Sequence, residues 1–241
     1  MQYILTDTYK MNNIGIVVFP GTNCDHDVQS VLTRVLNINA ELVWHTKSVA
    51  KYDAIIIPGG FSYGDRLRAG VIASRSPIIA EIKRMAGDGL PVLGICNGFQ
   101  ILIECGLLPG ALVTNSALSF ICRWTSVEVL SIRTPFTCQF QKNQKIRIPI
   151  AHGEGRYISN TQIMKELINK NRIILRYHED DPNGSSGLIA GVSNEEGNVL
   201  GIMPHPERAS ETILVPDRSS NEAVTIFHSL LAYLSKKFEY Y

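Results

Sequence analysis

The chain has 241 residues, 45% of them apolar, which is enough for one substantial α/β core. Its 23 basic and 22 acidic residues are spread along the sequence, and the formal net charge is +1. No basic stripe or block of like charge points to nucleic acid or an anionic membrane, and the longest apolar runs, such as 54–57, fall far short of the roughly 20 residues of a membrane helix.

Five cysteines stand at positions 24, 96, 105, 122 and 138. Their number is odd and no pair is spaced as CxxC, which argues against a disulfide framework or a zinc ribbon and fits a reducing, cytoplasmic compartment. Residues 1–13 are read as an N-terminal extension, polar at its start and without the basic-then-apolar order of a signal peptide. Met11 is an alternative start. Residues 14–241 are expected to form a single domain.

In chain order, Ile14 to Phe19 reads as a buried strand that stops at Pro20-Gly21. Asp25 and Asp27 then open a helix with Val28, Val31, Leu32 and Val35 on one face. Glu41 to Trp44 and Ala54 to Ile57 are short strands, the second ended by Pro58-Gly59-Gly60. A helix is predicted over Ile78 to Met85, ending near Gly87. Pro91 to Ile95 is a third buried strand, followed by Cys96 and a helix to about Glu104, with Gly106 as its stop.

Phe120 to Ile132 and Ile146 to Ile150 are expected as strands with mixed faces. Asn183-Gly184 is a turn signal between strands Ile173–Tyr177 and Leu188–Val192. Val199 to Met203 is a last strand, and a helix opens at Ser219 with Glu222 three residues on, a capping-box pattern. That helix carries an apolar stripe of Val224, Phe227, Leu230, Leu231 and Leu234, and His228 between its members carries no functional signal. Alternating strands and helices in the first half argue for a three-layer, doubly wound, mostly parallel sheet, and the second half adds an antiparallel portion. Ligands of such sheets bind beyond the carboxyl ends of the strands, where Gly59-Gly60 and Cys96 both fall.

The sharpest chemical signal is Gly94-Ile95-Cys96-Asn97-Gly98-Phe99-Gln100. A nucleophile on a tight strand-to-helix turn projects out of the sheet, and the flanking glycines relieve crowding. The helix behind the sulfur favours the thiolate, and the backbone N–H of Asn97 would face a developing oxyanion. The competing reading is a small buried cysteine that fills the strand end. Cys105 and Cys122 lack such a context and read as structural.

A thiol needs a base, and the base needs an orienter. Of six histidines, His205 stands out in Met203-Pro204-His205-Pro206-Glu207. In extended backbone, positions i and i+2 share a side, so Glu207 can hold one imidazole nitrogen while the other faces sulfur. A solvated, proline-rich turn is the plainer alternative. Pro58 to Asp65 supplies two glycines after a strand, so Gly60 or Phe61 could offer a second oxyanion donor, although an ordinary turn would look the same.

Cys96 in GICNGFQ, His205 and Glu207 in PHPER, and PGGFSYGD together resemble the class I, or triad, glutamine amidotransferases, with their flavodoxin-like fold. FPGTNCD at 19–25, GGFSYGD at 59–65, AHGEGRY at 151–157 and MPHPER at 203–208 are similar to one branch of them, the glutaminase subunits of phosphoribosylformylglycinamidine synthases. The resemblance runs from about Ile14 to Arg208. It implies Cys96 as nucleophile, His205 as base, Glu207 as its orienter and backbone oxyanion donors at Gly60 and Asn97. Gln100, Ser119 and Phe120 would hold L-glutamine, while His152 in AHGEG is assigned no step. One departure is Arg66, where the family more often carries an aromatic residue, which bears on the packing of that loop.

No GxxxxGK[ST] or strand-borne GxGxxG occurs, so no cofactor is expected on this chain. The resemblance places ATP and magnesium on a large synthetase subunit, with a small third subunit in many bacteria. Two other readings remain open: an amidotransferase for another acceptor or a free-standing γ-glutamyl hydrolase, and a non-catalytic assembly subunit.

Overall fold

The computed structural model describes residues 12–216, 218 and 221–238. The capping-box residue Ser219, and residues 1–11 of the expected extension, lie outside the described residues.

Short apolar runs form the sheet. β1 (Asn13–Val18) starts one residue before the expected boundary, and β2 (Asn39–Trp44) pairs with it in parallel. On the other side of β1 lie β3 (Ala54–Ile57), β4 (Val92–Ile95) and β11 (Val199–Ile202), all parallel. Every residue of these three strands is buried, as sheets covered on both faces require.

The same sheet continues without a break into an antiparallel half. This is made of β10 (Ile189–Ser193), β9 (Ile173–His178), β6 (Ile121–Val129) and β7 (Lys145–His152). The order is β2-β1-β3-β4-β11-β10-β9-β6-β7. Its first five strands follow the doubly wound order in which strand connections reverse direction at β1 and β3. β5 (Ala111–Val113) and β8 (Arg156–Ile158) form a separate antiparallel pair.

Among the described residues, five α-helices flank the sheet: α1 (Asp25–Ser30), α2 (Pro77–Gly87), α3 (Asn97–Glu104), α4 (Thr161–Asn169) and α5 (Thr225–Phe238). α3 packs close against the sheet, because glycines let it. A Cβ at Gly98 would lie 1.9 Å from the Ile57 carbonyl oxygen, and one at Gly201 would lie 2.0 Å from the Phe99 ring. One continuous apolar cluster runs from Ile14 to Leu234 and takes in both halves of the sheet.

Three expectations change. Val28, Val31 and Leu32 are buried as the helical face predicts, but Val35 is 38% exposed. After Ser30 the chain winds wider, Leu36 N–H bonding Val31 O five residues back, and the wider turn rotates Val35 out of the stripe. Asn183-Gly184 is more than a hairpin turn. Asn183 is buried and its side chain bonds Gly155 O, Ser185 N–H and the Ser185 hydroxyl, pinning the β9–β10 connection to the segment after β7. Arg66 is exposed, so its replacement of an aromatic residue leaves the core untouched.

Candidate active site

β1, β3, β4 and β11 are neighbours in the sheet and point the same way. The segments leaving their carboxyl ends carry Cys24, Gly59-Gly60, Cys96 and His205, so residues distant in sequence meet at one edge.

Cys96 sits between β4 and α3 with φ 51° and ψ −104°. A non-glycine residue there carries on the order of 1–3 kcal/mol of strain, tolerated only where surroundings fix it. They do so here. Cys96 N–H donates to Ile202 O on β11 at 2.7 Å, and Gln100 N–H donates to Cys96 O at 3.1 Å. Gly94 and Gly98 meet at the turn, since a Cβ on Gly94 would lie 2.7 Å from the Gly98 carbonyl carbon. The predicted sharp strand-to-helix turn is what the chain forms, and the thiol lies 3.6 Å from Ala151 O.

His205 follows β11 with its N–H on Pro149 O at 2.9 Å. Its Nδ1 lies 2.6 Å from Glu207 Oε1, and the two residues are 1% and 2% exposed. Burial resists charge on the imidazole. Burial is the largest single effect, but the Glu207 carboxylate and the Cys96 and Cys24 sulfurs together outweigh it, and His205 is held well above its ordinary value. Nε2 has no hydrogen-bond partner among the described residues.

A chain of amides ties the surrounding walls together. Ser62 N–H donates to Asn97 Oδ1, Asn97 Nδ2 to Gln100 Oε1, and Gln100 Nε2 to Glu154 O, at 3.1, 2.8 and 2.7 Å. The side chain of Gln100, expected to hold glutamine, is therefore engaged in joining α3 to the 151–155 segment. Phe61 N–H is taken by Gly21 O, which leaves Gly60 as the free choice for an oxyanion donor on that loop. Ser119 is exposed and its carbonyl accepts from Asn115 Nδ2, whereas Phe120 sits at the rim, its ring centroid 6.2 Å from that of Phe61.

Between these walls lies a cavity of about 130 Å³, lined by Cys96, Gly60, Asp65, Gln100, Phe120 and His152 among others. A larger hollow of about 410 Å³ beside α4 and β9 is lined largely by Met164, Leu167, Ile168 and Ile173 and holds no nucleophile or acid–base pair. The smaller cavity is therefore the candidate site.

His152, buried beneath this cavity, bonds Asn115 Oδ1 through Nδ1 at 3.0 Å. The Asn115 amide nitrogen donates to Ser119 O and His152 O, so its oxygen must accept, which fixes the proton on His152 Nδ1. Burial, aided by the charge of His205, pushes His152 down to about 4, so it stays neutral near pH 7.

The sequence reading assigned Cys24 no role. It is buried, and its sulfur lies with ligand atoms of His205 and Glu207 in a group spanning no more than 4.8 Å. Such a donor set suits a zinc ion by type. Here, however, Glu207 is spent on His205, and Arg208 Nη2 donates to Cys24 Sγ at 3.0 Å, setting a fixed positive charge where a cation would bind. The only sequence signal for Cys24 is its position just after the first core strand, in FPGTNCD.

Comparison with known proteins shows the family. Residues 11–234 match the family described as the CobB/CobQ-like glutamine amidotransferase domain. The chain is 47% identical over 234 residues to the phosphoribosylformylglycinamidine synthase subunit PurQ of Methanosarcina mazei, covering 93% of this chain and 99% of that one. It is 53% identical over 209 residues to the PurQ subunit of Moorella thermoacetica, covering 83% and 89%. Among solved structures it is similar to a chain of PurLQS from Thermotoga maritima, with TM-score 0.84, 46% identity and coverage of 93% and 99%. A glutamine amidotransferase from Thermotoga maritima shares only the fold, with TM-score 0.59 and 15% identity over 93% and 98% of the two chains. The chain belongs to the CobB/CobQ-like glutamine amidotransferase family.

Proposed function

We propose that this chain is the glutaminase subunit of a phosphoribosylformylglycinamidine synthase. It hydrolyses L-glutamine and supplies the ammonia to a large synthetase subunit, which uses ATP and magnesium to convert formylglycinamide ribonucleotide. A small third subunit completes the complex. The observation that carries the reading is the strained turn at Cys96 beside the buried His205–Glu207 pair, in a chain 47% identical to a PurQ subunit.

Cys96 thiolate attacks the carboxamide carbon of glutamine. Backbone N–H groups at Gly60 and Asn97 receive the oxyanion, and loss of one such donor typically costs about 10²–10³ in rate. His205, held cationic by Glu207, gives its Nε2 proton to the departing ammonia. A γ-glutamyl thioester remains on Cys96, and water activated by neutral His205 releases glutamate. Burial of the His205–Glu207 pair supports this division of labour, because a carboxylate removed from water holds the imidazole in one orientation throughout.

A cytoplasmic setting fits the five cysteines, all free. Among the described residues no helix is long and apolar enough to cross a membrane.

The test is glutamate release from glutamine by the chain alone and with the large subunit, ATP and formylglycinamide ribonucleotide. Strong stimulation by the full mixture, lost in Cys96→Ala, is the expected result. Full activity without any partner would point instead to a free-standing γ-glutamyl hydrolase.

A further inference from the structure

Arg208 closes the PHPER motif and Cys24 sits beside His205, yet neither takes part in the steps above. The two meet. Cys24 follows β1 and is held by its N–H on Gly59 O at 3.1 Å. A Cβ on Gly59 would lie 3.1 Å from the Cys24 sulfur and 2.7 Å from His205 Cε1, so sulfur and imidazole pack side by side. Cys24 Sγ donates to Asn23 Oδ1 at 3.5 Å and accepts from Arg208 Nη2 at 3.0 Å, so it meets the guanidinium as a thiol, with a lone pair.

Arg208 also reaches Glu207. Its Nε lies 3.9 Å from Glu207 Oε1, the oxygen that His205 Nδ1 contacts at 2.6 Å. Glu207 Oε2 is buried without a hydrogen-bond partner among the described residues. One buried carboxylate thus faces two cations, the imidazolium and a guanidinium anchored from β1.

The other groups that face this pair come from separate segments. Cys96 lies between β4 and α3, His152 ends β7, and Asp27 of α1 acts on Arg208 from the exposed side. In the cavity beyond, Asp65 is pushed up to about 6 by burial and then by the charge of Glu154. His152 is neutral near pH 7. Among these groups Arg208 alone is positive at every pH of interest.

The two chemical steps ask opposite things of His205: it gives a proton to ammonia and then, neutral, takes one from water. A buried carboxylate with no counter-charge holds an imidazolium too firmly for the second step. We propose that Arg208 is a positioning residue that sets the proton affinity of His205: its guanidinium, anchored by Cys24, shares the Glu207 carboxylate with the imidazole and keeps the proton transferable in both directions. This deepens the glutaminase reading and rests on it. The Arg208 side chain is 38% exposed, so water screens its charge and the effect is a moderate one.

The direct test is the titration of His205 in the full chain by NMR with isotope-labelled histidine, the resonance being assigned by its loss in His205→Gln. Cys96→Ser is carried throughout, which removes the coupled thiolate. Adding Arg208→Gln should raise the His205 midpoint by about 0.5–1 pH unit, and Arg208→Lys should restore at least half of that difference. If Arg208 served structure alone, its loss would loosen the His205–Glu207 contact and lower the midpoint. An unmoved or lowered midpoint overturns the proposal, as does a lysine variant that behaves like Arg208→Gln. The second readout is kcat for glutamine against pH in the assembled complex with Cys96 intact. Both steps turn on the same imidazole, so whichever limits, the limb set by His205 should move to higher pH in Arg208→Gln. A loss by the same factor at every pH would also overturn the proposal. If the wild-type complex releases no glutamate, the glutaminase reading fails, while the NMR titration still decides the role of Arg208.

Discussion

The tight turn at Cys96 was legible because its signal is local. A buried strand, a glycine on each side and a helix leave few conformations for the residue between them, and the observed φ of 51° is one of these. The contact of Glu207 with His205 was legible for the same reason, since two positions in extended backbone share a side. Its role makes a direct prediction. In Glu207→Gln the imidazole loses the charge that holds it, and kcat for glutamine should fall by about 10² or more while KM changes little, as when a triad loses its carboxylate. Steady-state glutamate release by the complex measures this, and an unchanged kcat would make Glu207 a structural residue. Asp65 offers a test by pH. Its folded value of about 6 lies above the ordinary 3.8, so between these values the folded chain holds a proton that the unfolded chain has released. Stability therefore falls as pH rises across that window and stays lowered above it. Asp65→Asn should match the wild-type Tm below about pH 4 and exceed it above about pH 6 in calorimetry.

Among elements, the strands of the parallel half were read within two residues, because strands buried on both faces are short apolar runs bounded by Gly and Pro. What the sequence concealed was pairing. Nothing near Cys24 announces Arg208, 184 positions away, and nothing near Asp65 announces Glu154. Parallel strands carry their carboxyl ends to one edge whatever their separation along the chain, so topology, not spacing, assembles these groups. Val35 was misread because the helical period assumed regular winding, and the wider turn after Ser30 breaks it. The seating of α3 on β3 is the contact on which the Cys96 turn depends. Gly98→Ala places a methyl group 1.9 Å from the Ile57 carbonyl oxygen, where backbone cannot yield. It should destabilise the chain by about 1–3 kcal/mol, the usual range for overpacking, visible as a lowered urea midpoint, and slow Cys96 alkylation. A wild-type midpoint would mean that α3 shifts freely.

For the whole molecule, the doubly wound half was legible from alternating strands and helices, and the antiparallel half only as a tendency. It joins the same sheet through β10 and β11, an antiparallel pair separated only by residues 194–198, while β11 also pairs in parallel with the distant β4, a long-range pairing that no local pattern specifies. That union closes the site, since the segment after β11 carries His205 while the end of β7 and the segment after it carry His152 and Glu154. The reaction implied is divided between chains, with ammonia made here and consumed on the synthetase. This division is tested most directly by the synthetase reaction of the complex carrying Cys96→Ser, measured with glutamine and then with ammonium chloride as nitrogen source. The account predicts loss of the glutamine-dependent rate with the ammonia-dependent rate retained. A normal glutamine-dependent rate would contradict it.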